Sequence, residues 1–166
     1  MIASEHYLME LILWRHADAG DPFEDQTADL ERRLTPRGRK QSLRVAKWLA
    51  ARLPERYLLI SSPAPRALET AQALGPEPRV DPRLAPGATG EQLLAAINWP
   101  EGPDGRARHC VVVGHQPSLG EAAALAITGQ AAAWTIRKSA ILWLASRGEG
   151  APRPPLIRAA IGPDLV

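Results

Sequence analysis

Apolar residues fall in short dense runs along this chain, separated by polar stretches that carry most of its prolines. Leu8 to Trp14 is one such run, of strand length. Asp18 to Arg33 is polar and charged and reads as a loop. Thr35-Pro36 then opens a helix, because a threonine hydroxyl suits the N-cap and proline suits the first helical position. Leu43, Ala46, Leu49 and Ala50, flanked by Val45, Trp48 and Leu53, give that helix an apolar face, and Pro54 ends it. Tyr57 to Ile60 is a second strand-like run. Arg66 to Leu74 and Gly90 to Ile97 predict helices, the first stopped by Gly75-Pro76. Asn98 to Gly105 is a turn-rich connection.

His109 to Val113 is the clearest strand: consecutive β-branched residues without alternation suit a strand covered on both faces. Leu119 to Thr128 returns to helix, Ser139 to Leu144 reads as a late strand, and Pro155 to Ile161 as an edge strand in a proline-rich tail. Strands separated by helices predict an α/β sandwich around a mostly parallel sheet.

Composition narrows the picture. The chain has 166 residues, enough for one domain with a real core, and residues 1–166 are read as that single domain. Met9 followed by ELILWRH makes a plausible start, so residues 1–8 are read as an N-terminal extension, with His6 incidental. The apolar fraction of 45% and charged fraction of 23% are those of an ordinary globular protein. A net charge of +2, with arginines scattered and no aromatic interleaving, argues against a nucleic-acid partner. The single cysteine, Cys110, rules out an internal disulfide and a multi-cysteine metal site, and its apolar setting marks a core residue. No apolar run is long enough to span a bilayer and no signal peptide is evident, so a cytoplasmic protein without a membrane partner is expected. Oligomeric state is not legible.

Reactive residues cluster at strand ends. Arg15 and His16 follow the first strand, Arg66 opens the helix after the second, and His115 follows the HCVVV strand. Ligands of open α/β sheets bind beyond the carboxyl ends of the strands, so these junctions share one edge. Each residue alone has an ordinary structural explanation; their equivalent topological positions do not. Two guanidinium groups can hold phosphate oxygens, and helix N-termini add N–H donors. A neutral imidazole can attack phosphorus and carry the phosphoryl group, while a second donates to the oxygens. Neighbouring arginines lower a histidine's pKa and keep the nucleophile unprotonated.

With those residues in view, the chain resembles the histidine phosphatase superfamily, and within it the SixA-like phosphohistidine phosphatases. The resemblance runs from Met9 to about Leu144. It rests on ELILWRHADAG, ERRLTPRG, SSPAPRALETA and VVVGHQPSLG in that order. It implies a phosphoglycerate mutase-like fold, a three-layer α/β/α sandwich. It implies that His16 is the nucleophile, that Arg15, Arg66 and His115 form the phosphate pocket, and that neither metal nor cofactor is needed.

The chain departs from the superfamily pattern twice. The usual Arg-His-Gly is Arg-His-Ala here, so Ala17 implies a backbone without positive φ. The carboxylate that serves many members as proton donor is missing, since that region reads Leu84-Ala85-Pro86. Expelling an alkoxide needs such a proton far more than expelling imidazole does. A phosphohistidine-bearing protein is therefore the preferred substrate. A small phosphorylated metabolite is the alternative, with Asp18 as candidate general acid or simply a turn-stabilising residue. Glu91 is more simply a first-turn helix charge. A phosphate-binding module without turnover is a further reading, which the intact residue set opposes.

Overall fold

The computed structural model describes residues 7–103, 108–147 and 153–166. The strands are β1 (Tyr7–Arg15), β2 (Leu58–Ser61), β3 (Arg79–Val80), β4 (His109–Gly114), β5 (Ile141–Arg147) and β6 (Leu156–Ile161). The helices are α1 (Gln26–Leu30), α2 (Pro36–Ala50), α3 (Pro65–Gln72), α4 (Gly90–Ala96) and α5 (Ser118–Thr128). One sheet holds the strands in the order β3-β2-β4-β1-β5-β6. The pairs β2–β3, β2–β4 and β1–β4 are parallel, while β5 lies antiparallel to β1 and to β6.

Successive side chains of a strand point to opposite faces, and here both faces are apolar. Leu11, Leu13, Cys110 and Val112 pack with Leu93, Ala96, Leu119 and Ala122 of α4 and α5. Ile12, Trp14, Val111 and Val113 pack with Val45, Ala46 and Leu49 of α2 and with Ala67 and Ala71 of α3. The sheet is thus the middle of three layers, as the uninterrupted apolar runs of β1 and β4 require. Cys110 is fully buried in it.

One carboxylate sits inside this apolar middle. Glu10 of β1 accepts from Trp143 Nε1 at 2.7 Å and from Arg158 Nη1 at 2.6 Å, lacing β1 to β5 and β6. Those partners offset the cost of desolvating it.

The helix signals hold, except that Leu43 and Ala50 of the expected apolar face of α2 are exposed while Val45, Ala46 and Leu49 are buried. Thr35 caps α2, its hydroxyl accepting from Gly38 N–H at 3.0 Å. Gly38 is there because a Cβ would run into the Asp18 carbonyl, so α2 comes up against the loop that follows β1. Thr89 caps α4 in a reciprocal capping box with Gln92.

Several boundaries differ from expectation. The polar segment 18–33 contains α1, five residues with none buried, capped by the Asp25 carboxylate accepting from Ala28 N–H at 2.7 Å. Such a helix has no apolar face to produce a periodic signal. β3 is equally silent: both of its residues are exposed, and it exists through pairing with Ile60 and Ser61. α2 ends at Ala50 rather than at Pro54, and the late strand runs from Ile141 to Arg147. β1 begins at Tyr7, which pairs with Arg147, so two of the eight residues read as an extension lie in the sheet. His6 and the other residues 1–6 lie outside the described residues, as does the end of the turn-rich connection at 104–105.

Candidate active site

Because β1, β2 and β4 run parallel, their carboxyl ends share one edge of the sheet. His16 follows the end of β1, His115 follows the end of β4, and Arg66 lies in the first turn of α3 after β2. Backbone bonds hold these ends together. His16 N–H donates to Gly114 O at 3.0 Å, and Ser62 N–H donates to Val113 O at 3.0 Å. The two imidazoles are tilted neighbours with ring centroids 5.2 Å apart. His16, His115 and Arg66 are buried, and Arg15 is half-buried.

The His16 tautomer follows from its partner. Nδ1 lies 2.8 Å from the Ala17 carbonyl oxygen, which can only accept, so Nδ1 carries the proton. Nε2 keeps its lone pair. Burial pushes the His16 pKa down to about 3, with the Ala17 bond opposing and the charges of Arg66, Arg15 and Arg32 reinforcing the shift. Nε2 is therefore an unprotonated, nucleophilic nitrogen at neutral pH.

His115 is fixed in the complementary way. Its Nε2 lies 2.7 Å from Ser62 Oγ, which already accepts from Ala64 N–H at 3.2 Å. The Ser62 hydroxyl proton has no other acceptor among the described residues, so it goes to His115 Nε2, which places the imidazole proton on Nδ1. Nδ1 is buried and has no partner among the described residues. Burial and then the neighbouring His16, Arg66 and Arg15 push the His115 pKa down to about 2, so it is a neutral N–H donor.

Each arginine is anchored at one end and open at another. Arg15 Nη1 donates to Ile136 O at 2.9 Å, and Arg66 Nη1 donates to Asp29 O at 2.9 Å. Arg15 Nε and Arg66 Nε are buried without a partner among the described residues. Buried donors without acceptors are costly in a native structure. Three such N–H groups, on two arginines whose charge reaches His16 and on a ring 5.2 Å from it, suit an oxyanion with several equatorial oxygens.

Asp18 lies beside this site but is engaged elsewhere. Lys138 Nζ donates to Oδ1 at 2.6 Å and Thr35 Oγ1 donates to Oδ2 at 2.7 Å. The Lys138 bond holds its carboxyl below the usual range. At neutral pH Asp18 has no proton to give. Glu91 lies exposed in the first turn of α4. Ala17 does not adopt a positive φ, in keeping with alanine at that position.

Sequence patterns did not single out several participants. Ser62 sets the His115 tautomer. Thr70, one turn after Arg66, accepts from Ala17 N–H at 3.0 Å and donates to Arg66 O at 2.7 Å. Arg32 contributes charge to both imidazoles and is itself held by Asp29 Oδ1 at 2.7 Å. Asp29 also lies 4.0 Å from Arg66 Nη2. The signals for Ser62 and Thr70 were their places in SSPAPRALETA, and that for Arg32 its place in ERRLTPRG. Among the described residues, no group of three or more His, Cys, Asp or Glu side chains is placed to hold a metal ion. No described helix is long and apolar enough to cross a membrane.

Known proteins share this arrangement of chain. A model of the histidine phosphatase superfamily (branch 1) matches residues 11–91, the segment that carries Arg15, His16 and Arg66. An uncharacterized protein of Picosynechococcus sp. is 38% identical over 132 residues, covering 74% of this chain and 75% of that protein. A structure described as a phosphohistidine phosphatase, SixA, from Agrobacterium tumefaciens superposes with TM-score 0.72 at 22% identity, over 93% of this chain and 97% of the other. The protein histidine phosphatase SixA complexed with tungstate superposes with TM-score 0.70 at 24% identity, over 95% and 99%. At such identities the two structures are likenesses of fold.

Proposed function

The chain belongs to the histidine phosphatase superfamily, and from that premise we propose that it dephosphorylates phosphohistidine on a protein through a covalent intermediate on His16. The observation that carries this reading is the His16 tautomer. The Ala17 carbonyl holds the proton on Nδ1, and Nε2 is left with its lone pair in the field of Arg15 and Arg66, with the His115 ring 5.2 Å away.

The chemistry runs as two displacements. His16 Nε2 forms a bond to phosphorus as the substrate's P–N bond breaks, and the departing imidazole takes a proton from solvent. Water then attacks the phosphorylated His16, releasing inorganic phosphate and restoring the neutral ring. Arg15, Arg66 and His115 Nδ1–H hold the equatorial oxygens in both steps, where their charge and dipoles count most. Support for a phosphoramidate substrate comes from Asp18. With that carboxylate ionised and tied to Lys138, the site offers no ready proton for an alkoxide.

Two measurements test the reading. Acid-labile phosphate should appear on wild-type protein during turnover and not on H16A. Equal hydrolysis by H16A would remove His16 as nucleophile. Phosphohistidine peptide and sugar phosphates assayed side by side separate the substrates, and faster turnover of the esters would favour a small phosphomonoester.

A further inference from the structure

Beside the phosphate site lies a groove of about 540 Å³ that shares Arg15 with it and is lined by Asp18 as well. One wall is α2, which contributes Arg37, Lys40 and Arg44; the other includes Arg137, Lys138 and Asp164. We propose that this groove docks acidic side chains flanking the phosphohistidine of a protein substrate, an inference that rests on the function proposed above.

Its charge is concentrated and largely uncompensated. The lining holds six cationic side chains and two carboxylates, an excess of four, whereas the whole chain carries a net charge of +2. Both carboxylates are occupied: Asp18 by Lys138 at 2.6 Å, Asp164 by Arg137 at 3.8 Å. Arg37, Lys40 and Arg44 are exposed and form no ion pair among the described residues. Their spacing of three and four puts them on one helical face, a stripe about 10 Å long by helical rise. Like charges in such a row repel, and an anionic partner relieves that repulsion.

Other features favour a protein as the source of the anions. Leu43, on the same helix, is 59% exposed, an apolar contact beside the cations that a protein surface can cover. Among the described residues no aromatic side chain lines the groove, and stacking platforms are what single-stranded nucleic acid uses. Because Arg15 lines the same groove as this stripe, acidic residues flanking a phosphohistidine are the groups a bound substrate would bring to it.

The test uses two synthetic peptides of equal length, each bearing one phosphohistidine, flanked by Asp and Glu in one and by Ser and Gln in the other. Phosphoramidate, which has no flanks, reports the phosphate site alone. At low salt the acidic peptide should show kcat/KM about tenfold or more above the neutral one. That advantage should vanish in R37E/K40E/R44E, shrink in R44E, and fade at about 0.5 M salt, where screening is strong. Phosphoramidate turnover should stay at the wild-type level in both variants. Equal rates for the two peptides, or an advantage that survives in the triple variant, would overturn the proposal. A gain seen for a sugar bisphosphate over a sugar monophosphate, and not for the acidic peptide, would overturn it in favour of a small-molecule subsite. If sugar phosphates are turned over while neither peptide nor phosphoramidate is, the phosphohistidine reading has failed and the docking site falls with it.

Discussion

Ser62 Oγ and His115 Nε2 are 2.7 Å apart and both buried, so the serine hydroxyl decides which face of the imidazole carries its proton. With Ser62 feeding Nε2, Nδ1–H is left as a donor without an acceptor among the described residues. The residue that orients this imidazole is a small hydroxyl just past the end of β2, three positions before the helix that brings Arg66.

S62A should free that tautomer and leave Nε2 buried without a partner. Loss of one buried hydrogen bond is worth about 1–2 kcal/mol, so kcat should fall about tenfold while KM changes less. Nitrogen-15 shifts of the His115 ring should report protonated Nδ1 in the wild type and a mixture in S62A. A wild-type ring protonated on Nε2 would contradict the assignment.

Arg66 has a structural and an electrostatic part. R66A should lower kcat by about 10² to 10³, the usual loss when an oxyanion donor is removed. It should also cost stability, because Arg66 Nη1 satisfies the Asp29 carbonyl and ties α3 to α1. R66K keeps charge without the planar fork and should recover only part of the rate. Denaturation midpoints alongside kcat separate the two effects.

Asp18 distinguishes the substrates. As an ion-pair partner of Lys138 rather than an acid, D18N should lower phosphoramidate and alkyl phosphate hydrolysis by similar, small factors, below about tenfold. A general acid would instead produce a loss of about 10² to 10⁴ confined to the alkyl ester. The ratio of the two rates, measured in wild type and variant, decides the matter.

Stability should fall between pH 6.5 and pH 5. His16 and His115 have folded pKa values of about 3 and about 2, below the unfolded value of 6.5. In this window the unfolded chain binds protons that the folded chain does not, so acidification favours unfolding. Each histidine contributes about 2 kcal/mol by pH 5, large against the usual 5–15 kcal/mol total. The lowered carboxyls Glu10, Asp18, Asp29 and Asp81 act only at lower pH, through their ordinary range. Urea midpoints at pH 7 and pH 5 check this, and H115Q should flatten the difference by about half.

The sequence by itself determined the sandwich and its reactive edge. Continuous apolar runs in β1 and β4 demand cover on both faces, Thr35-Pro36 announces α2, and Arg15, His16, Arg66 and His115 sit where strands hand over to helices. These are local signals, carried by neighbours in the chain. Tertiary structure alone decided the protonation pattern and the charge around it. Ser62 meets His115 across 53 positions, Lys138 neutralises Asp18 across 120, and α1 forms without an apolar face yet brings Asp29 to Arg66. Hydrogen bonds and desolvation depend on which atoms meet in space, and no spacing along the chain records that. The same holds for the groove: Arg37, Lys40 and Arg44 read as an ordinary solvated helix face until the segment around Arg137 and Lys138 closes against them beside Arg15.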